Sequence, residues 1–234
     1  MNVLAIGCHP DDVEGCCGGT LAKFAQQGHQ VFMGSIANGS VGHRVIPSDE
    51  LKQIRLEEAR AGAGIIGAQH FCIGADDLTI EASNMELLKE VVEIVRWAKP
   101  DLVITHNPQD YMRDHEQTSE LVTSAAFCAT VHHLQTKSPE FDRFVPVYYM
   151  ETAAGVDFCP TDYVDISDVI DVKLSAAACH KSQLTWLKDH DDMDFLETLR
   201  MIARFRGNQC GVQYAEGFRH YNGWQRFATK RLLP

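Results

Sequence analysis

Through its first half the chain alternates short apolar runs with longer amphipathic stretches, and this alternation constrains the fold more than any other feature. Residues 2–8, 30–36, 70–73 and 101–105 read as strands; residues 14–28, 49–66, 84–98 and 114–133 read as the helices that follow them. Such βα repeats form a parallel sheet between two helical layers, because each crossover returns the chain to the same sheet. Near-continuous apolar strands such as Val3-Leu4-Ala5-Ile6 fit a sheet covered on both faces. The expected class is α/β, a Rossmann-like, mostly parallel sheet with helices on both faces. Helix ends carry their own signals. Asn84 is placed to cap the third helix and Pro100 to stop it, while Gly28 and Gly67 end the first two.

From about residue 146 the pattern loosens. Residues 147–150 and 163–166 read as strands, and 168–182 and 191–205 as helices. No linker or shift of composition sets this part off, so residues 1–234 are expected to form a single domain with a C-terminal extension packed on it.

Charge and apolar content narrow the partners. A formal net charge of -11 disfavours nucleic acid and anionic membranes, whose phosphates would repel the surface. Apolar runs stay well short of the roughly 20 residues that span a bilayer. The first residues enter a core strand directly, without a positive region and cleavage site, so no signal peptide is expected. The eight cysteines are scattered and form no CxxC pair. Together these features predict a cytoplasmic protein with free thiols.

Two polar clusters carry the chemistry. His9-Pro10-Asp11-Asp12-Val13-Glu14 follows the first strand, and Asp110-Tyr111-Met112-Arg113-Asp114-His115 follows the fourth. Open α/β sheets place ligands at the C-terminal ends of their strands. If the Pro-Asp turn curls, His9 and Asp12 point inward together, with Asp11 beside them, and His115 completes the set from the second cluster. Two imidazoles and a carboxylate with an open position suit a catalytic Zn2+, and also divalent iron, cobalt or manganese. Asp11 would then take a proton from a water whose pKa the ion lowers to about 7. Asp114 would fix an imidazole. The blander readings are a turn whose acids cap the next helix, and an N-cap followed by a surface His. A dinucleotide site fits poorly, because Gly18-Gly19 come too late after the strand.

These residues resemble the PIG-L/LmbE family of zinc-dependent N-acetylglucosamine deacetylases. The resemblance rests on His9-Pro10-Asp11-Asp12 with Glu14, and on Asp114-His115 with Thr118-Ser119-Glu120-Leu121-Val122. Weaker echoes are Gly39, Arg55-Leu56-Glu57-Glu58-Ala59, Lys173, His180-Lys181-Ser182-Gln183 and Ala215-Glu216-Gly217-Phe218. It implies an LmbE-like fold, Zn2+ on His9, Asp12 and His115, Asp11 as general base and acid, and Asp114 as a further catalytic group. It also implies Arg55 as a substrate contact, for which a helix-surface salt bridge is an equal alternative. The implied substrate is a small acylated amino sugar, and the implied assembly a homo-oligomer, a trimer or hexamer. One departure stands out. The family places a second His three positions before the zinc-binding His, and this chain has Met112 there. Methionine donates no hydrogen bond, and loss of one oxyanion donor typically costs on the order of 10²–10³ in rate. His43, Arg44 and His180 are the candidate substitutes. The alternatives are therefore hydrolysis of another small amide or ester, or metal and acyl-sugar binding without turnover.

Overall fold

A computed structural model describes residues 1–234, apart from the side chain of Ala154. Seven strands form one sheet: β1 (Asn2–Gly7), β2 (Gln30–Ala37), β3 (Gln69–Ala75), β4 (Leu102–Thr105), β5 (Val147–Met150), β6 (Asp162–Asp165) and β7 (Ala215–His220). Their order is β3-β2-β1-β4-β5-β7-β6. The first five pair in parallel, and β7 runs antiparallel to both β5 and β6. The helices are α1 (Asp12–Gln26), α2 (Ser48–Ile66), α3 (Met85–Ala98), α4 (Arg113–Cys128), α5 (Ile170–Ala177), α6 (Lys181–Asp191) and α7 (Phe195–Cys210).

Alternate side chains of β1 feed two separate cores. Val3 and Ala5 join Leu21 and Phe24 of α1, Leu174 of α5 and Leu199 of α7. Leu4 and Ile6 join Val91 of α3 and Leu121 of α4. All four β1 residues are fully buried, which is why the strand tolerates no polar alternation. Among the described residues, no helix is long and apolar enough to cross a membrane.

The chain reverses its direction of travel across the sheet between β1 and β4, where α/β sheets open a crevice. The register pairs Ile6 with Thr105, so both polar clusters emerge side by side.

The later elements differ from the sequence expectation. The helix expected over 168–182 stops at Ala177 as α5, where Cys179 and His180 close tight turns onto Ala176 and Ala177, and α6 (Lys181–Asp191) lies mostly beyond the expected range. The fourth helix ends at Cys128 rather than near 133, and α7 starts at Phe195 rather than 191. Strand β7 had no sequence signal, since Glu216 and Gly217 interrupt its apolar pattern.

Candidate active site

The turn after β1 folds back tightly enough that a Cβ on Gly7 would lie 2.9 Å from Asp12 Cβ, so glycine is required there. Asp12 Oδ2 accepts the His9 N–H at 2.6 Å, which curls the turn and aims both residues the same way. Asp11 sits at the N-cap position of α1 with φ 111°, yet its side chain makes no cap bond. Its carboxylate therefore serves the cavity and not the helix, against the capping reading of the motif.

His115, in the first turn of α4, faces this turn across the crevice. Its Nε2 lies 3.5 Å from Asp12 Oδ1, and His9, Asp12 and His115 each offer a ligand atom within 4.8 Å of the other two. The remaining ring nitrogens are spoken for. His9 Nε2 lies 3.4 Å from Asp114 Oδ2, and His115 Nδ1 lies 3.2 Å from Asp110 Oδ1. These contacts leave His9 Nδ1 and His115 Nε2 for a cation, each imidazole being fixed by a carboxylate on its far side.

Asp114 also accepts the Leu78 N–H at 2.7 Å, while Arg113 pairs outward with Glu81. Asp114 thus orients His9, not Arg113 or His115. Arg55 is not a surface salt bridge. It is 3 % exposed and donates to Asp11 Oδ1 at 3.1 Å, to the Gly39 carbonyl at 3.3 Å and to the Pro10 carbonyl. His43 and His180 lie outside the cavity wall. His43 Nδ1 accepts the Val45 and Ile46 amides, both at 3.1 Å. His180 is fully buried, 3.0 Å from Glu14 Oε1, and joins the α5–α6 junction to α1.

The sequence reading missed His106, the first residue after β4. Its Nε2 accepts the Cys8 N–H at 2.9 Å and lies 3.0 Å from Asp12 Oδ2, and its ring stacks on His115 with centroids 4.1 Å apart. Its position directly after an apolar strand, like that of the His9 turn, was the available signal.

Electrostatics separate the carboxylates. Burial pushes Asp11 up to about 6, against the pull of Arg55. Burial also opposes charge on Asp12, but His115, His106 and His9 hold it well below the usual carboxylate range. His115 resists the effect of burial and is carried up to about 9 by Asp12 and Asp110. A hydrogen bond from His9 keeps Asp114 low. The surplus of negative charge that protonates His115 is the field a divalent cation would neutralise.

The site opens into a cavity of about 480 Å3. Arg55, Gln183 and His190 are among the polar residues that line it, and Trp186, stacked on His190 at 4.3 Å, is part of its wall. Phe195, Leu199 and Ile202 of α7 contribute apolar side chains to the lining.

Comparison with known proteins identifies the family of this chain. The model of the family described as PIG-L, GlcNAc-PI de-N-acetylase, matches residues 4–126. Diacetylchitobiose deacetylase of Thermococcus kodakarensis is 30% identical, with 94% of this chain and 83% of that protein covered. A 4-oxalmesaconate hydratase of Pseudomonas putida is 25% identical, with 78% of this chain and 74% of that protein covered. The structure of N,N'-diacetylchitobiose deacetylase from Pyrococcus horikoshii superposes with a TM-score of 0.81 at 26% identity, covering 94% of this chain and 83% of that one.

Proposed function

Given that the chain belongs to the PIG-L family, we propose that it is a zinc-dependent hydrolase removing the N-acetyl group of an amino sugar or N-acetylglucosamine conjugate. The observation that carries this reading is the convergence of His9, Asp12 and His115 beside an uncapped, buried Asp11. The donor set fits zinc, with two imidazoles and one carboxylate around one point and a carboxylate behind each imidazole. Zinc bound there supplies a Lewis acid that polarises the amide carbonyl and acidifies water.

The chain's own groups do the rest. Asp11, near 6, is largely ionised at neutral pH and accepts the proton of the attacking water. The same carboxyl then returns that proton to the leaving nitrogen, since its raised pKa makes it a competent acid. Arg55 holds Asp11 at 3.1 Å and so positions the base rather than the sugar. Asp114 and Asp110 keep the two imidazoles in their working tautomers.

The test combines metal content with product release. Wild-type protein should carry stoichiometric zinc and release acetate from N-acetylated amino sugars, and His115→Ala should lose both. Asp11→Asn should retain zinc while its rate falls by about 10²–10⁴. An unchanged rate in that variant removes Asp11 as the base.

Met112 favours a second reading, because it places no donor where the oxyanion develops. The chain would then hydrolyse another small amide or ester, or bind metal and acyl sugar without turnover. A panel of acylated amines, esters and, given the hydratase relative, an unsaturated carboxylic acid separates these outcomes.

A further inference from the structure

The edge of His9 turned away from the candidate zinc position meets a second set of ligand atoms. Cys8 Sγ lies 3.7 Å from His9 Nε2, which in turn lies 3.4 Å from Asp114 Oδ2. Cys8, His9 and Asp114 each offer an atom within 4.8 Å of the other two. Bonds of about 2.3 Å to sulfur and about 2.0–2.2 Å to nitrogen and oxygen, at tetrahedral angles, set such atoms roughly 3.3–3.6 Å apart. The two observed edges are close to that spacing. Thr118, one turn after Asp114 on α4, adds a buried hydroxyl without a hydrogen-bond partner beside the same thiol.

The set is shut off from water, with Cys8 0 %, His9 9 % and Asp114 3 % exposed. Hydrolysis as proposed above asks nothing of Cys8. A buried Cys is commonly a small core residue, and Cys8 does pack with Leu4 and Ile6. Its sulfur also faces an imidazole nitrogen and a carboxylate, which packing alone does not require.

From this geometry we infer that Cys8, His9 and Asp114 form a second, inhibitory cation site for soft, thiophilic ions such as Cd2+. The thiol proton leaves to solvent and the sulfur binds as thiolate. Only a strong metal–sulfur bond offsets the loss of a proton from so buried a thiol, which favours soft ions over hard ones. The front set of His9, Asp12 and His115 offers such an ion no sulfur. A neutral imidazole has one lone pair. A cation on His9 Nε2 therefore moves the ring proton to Nδ1, the atom that would hold zinc, so the two sites exclude each other. The exclusion, though not the site, rests on the zinc reading above.

The test adds one equivalent of Cd2+ to zinc-loaded wild-type protein, follows zinc release with a chelating dye and records the cadmium X-ray absorption spectrum. One sulfur among nitrogen and oxygen neighbours is expected, with zinc released mole for mole. Cys8→Ser and Cys8→Ala should both lose that sulfur. The vicinal pair Cys16 and Cys17 is the competing thiol site, so the double variant Cys16→Ser with Cys17→Ser should keep it.

A shell without sulfur, a shell with two or more, or a sulfur that persists without Cys8 overturns the site and leaves the proposed function standing. One sulfur with zinc retained overturns the inhibitory role. If wild-type protein takes up no zinc, the zinc reading of the front set fails, and the cadmium shell of metal-free protein decides the rear site alone. One sulfur that both Cys8 variants remove supports it, and any other shell overturns it.

Discussion

At the scale of single residues, Asp11 shows how the site is built. Its φ of 111° lies in a region that side-chain-bearing residues rarely adopt, at a cost of order 1–3 kcal/mol. The turn holds it there through the Asp12 bond to the His9 amide and the Arg55 bonds to Asp11 and the Pro10 carbonyl. Asp114 works at one remove, since it touches His9 and the Leu78 amide and lies behind the ring nitrogen that faces away from the cation position. Asp114→Ala should therefore weaken zinc binding by about 10–100-fold, read by competition with a chelator. Asp114→Asn, which keeps an acceptor for Leu78, should recover part of that loss. Equal affinity in wild type and Asp114→Ala would remove Asp114 from the ordering of His9.

At the scale of elements, ends are decided by particular side chains. Asn84 Oδ1 accepts the Glu86 and Leu87 amides at 3.1 and 3.2 Å, which fixes the start of α3 as its sequence position predicts. Asn84→Ala should cost about 1 kcal/mol, and Asn84→Asp should restore it. In a chain of this size that loss lowers the melting temperature by roughly 2–4 °C, measurable by thermal unfolding. The break between α5 and α6 has another origin. Helix propensity runs through 168–182, but His180 is drawn into full burial against Glu14 and the chain turns to deliver it. Local preference yields to a tertiary contact 166 residues away in sequence.

At the scale of the whole molecule, the C-terminal extension completes the sheet and one wall of the cavity. Strand β7 lies between β5 and β6, and the extension is tied to the first half by Glu216, which accepts the Gly19 and Thr20 amides of α1, and by His180 against Glu14. Arg206 of α7 grips Glu151 at the end of β5 and also donates to the Phe158 carbonyl at 3.1 Å. Arg206→Met would leave Glu151 buried without its partner, so a loss of about 3–5 kcal/mol is expected in denaturant unfolding. The double variant Arg206→Met with Glu151→Leu should recover much of it. A single variant as stable as wild type would show that the pair does not hold α7 in place.

What the sequence determined by itself was local. Apolar runs of strand length, helix caps and the alternation of the first half were enough to specify a parallel α/β sheet, because burial on both faces leaves its mark on consecutive residues. The two polar clusters were legible because each lies in the loop that leaves a strand's C-terminal end. Only the tertiary structure decided the rest. The pairing of Ile6 with Thr105 brought His106 to the Asp12 carboxylate, and packing buried Arg55 on Asp11 and placed His43 and His180 off the cavity wall. It also inserted β7 into the sheet, although its charged and glycine positions break the strand pattern. Those outcomes depend on which distant groups satisfy each other's charges and hydrogen bonds, and residues adjacent in sequence carry no record of that choice.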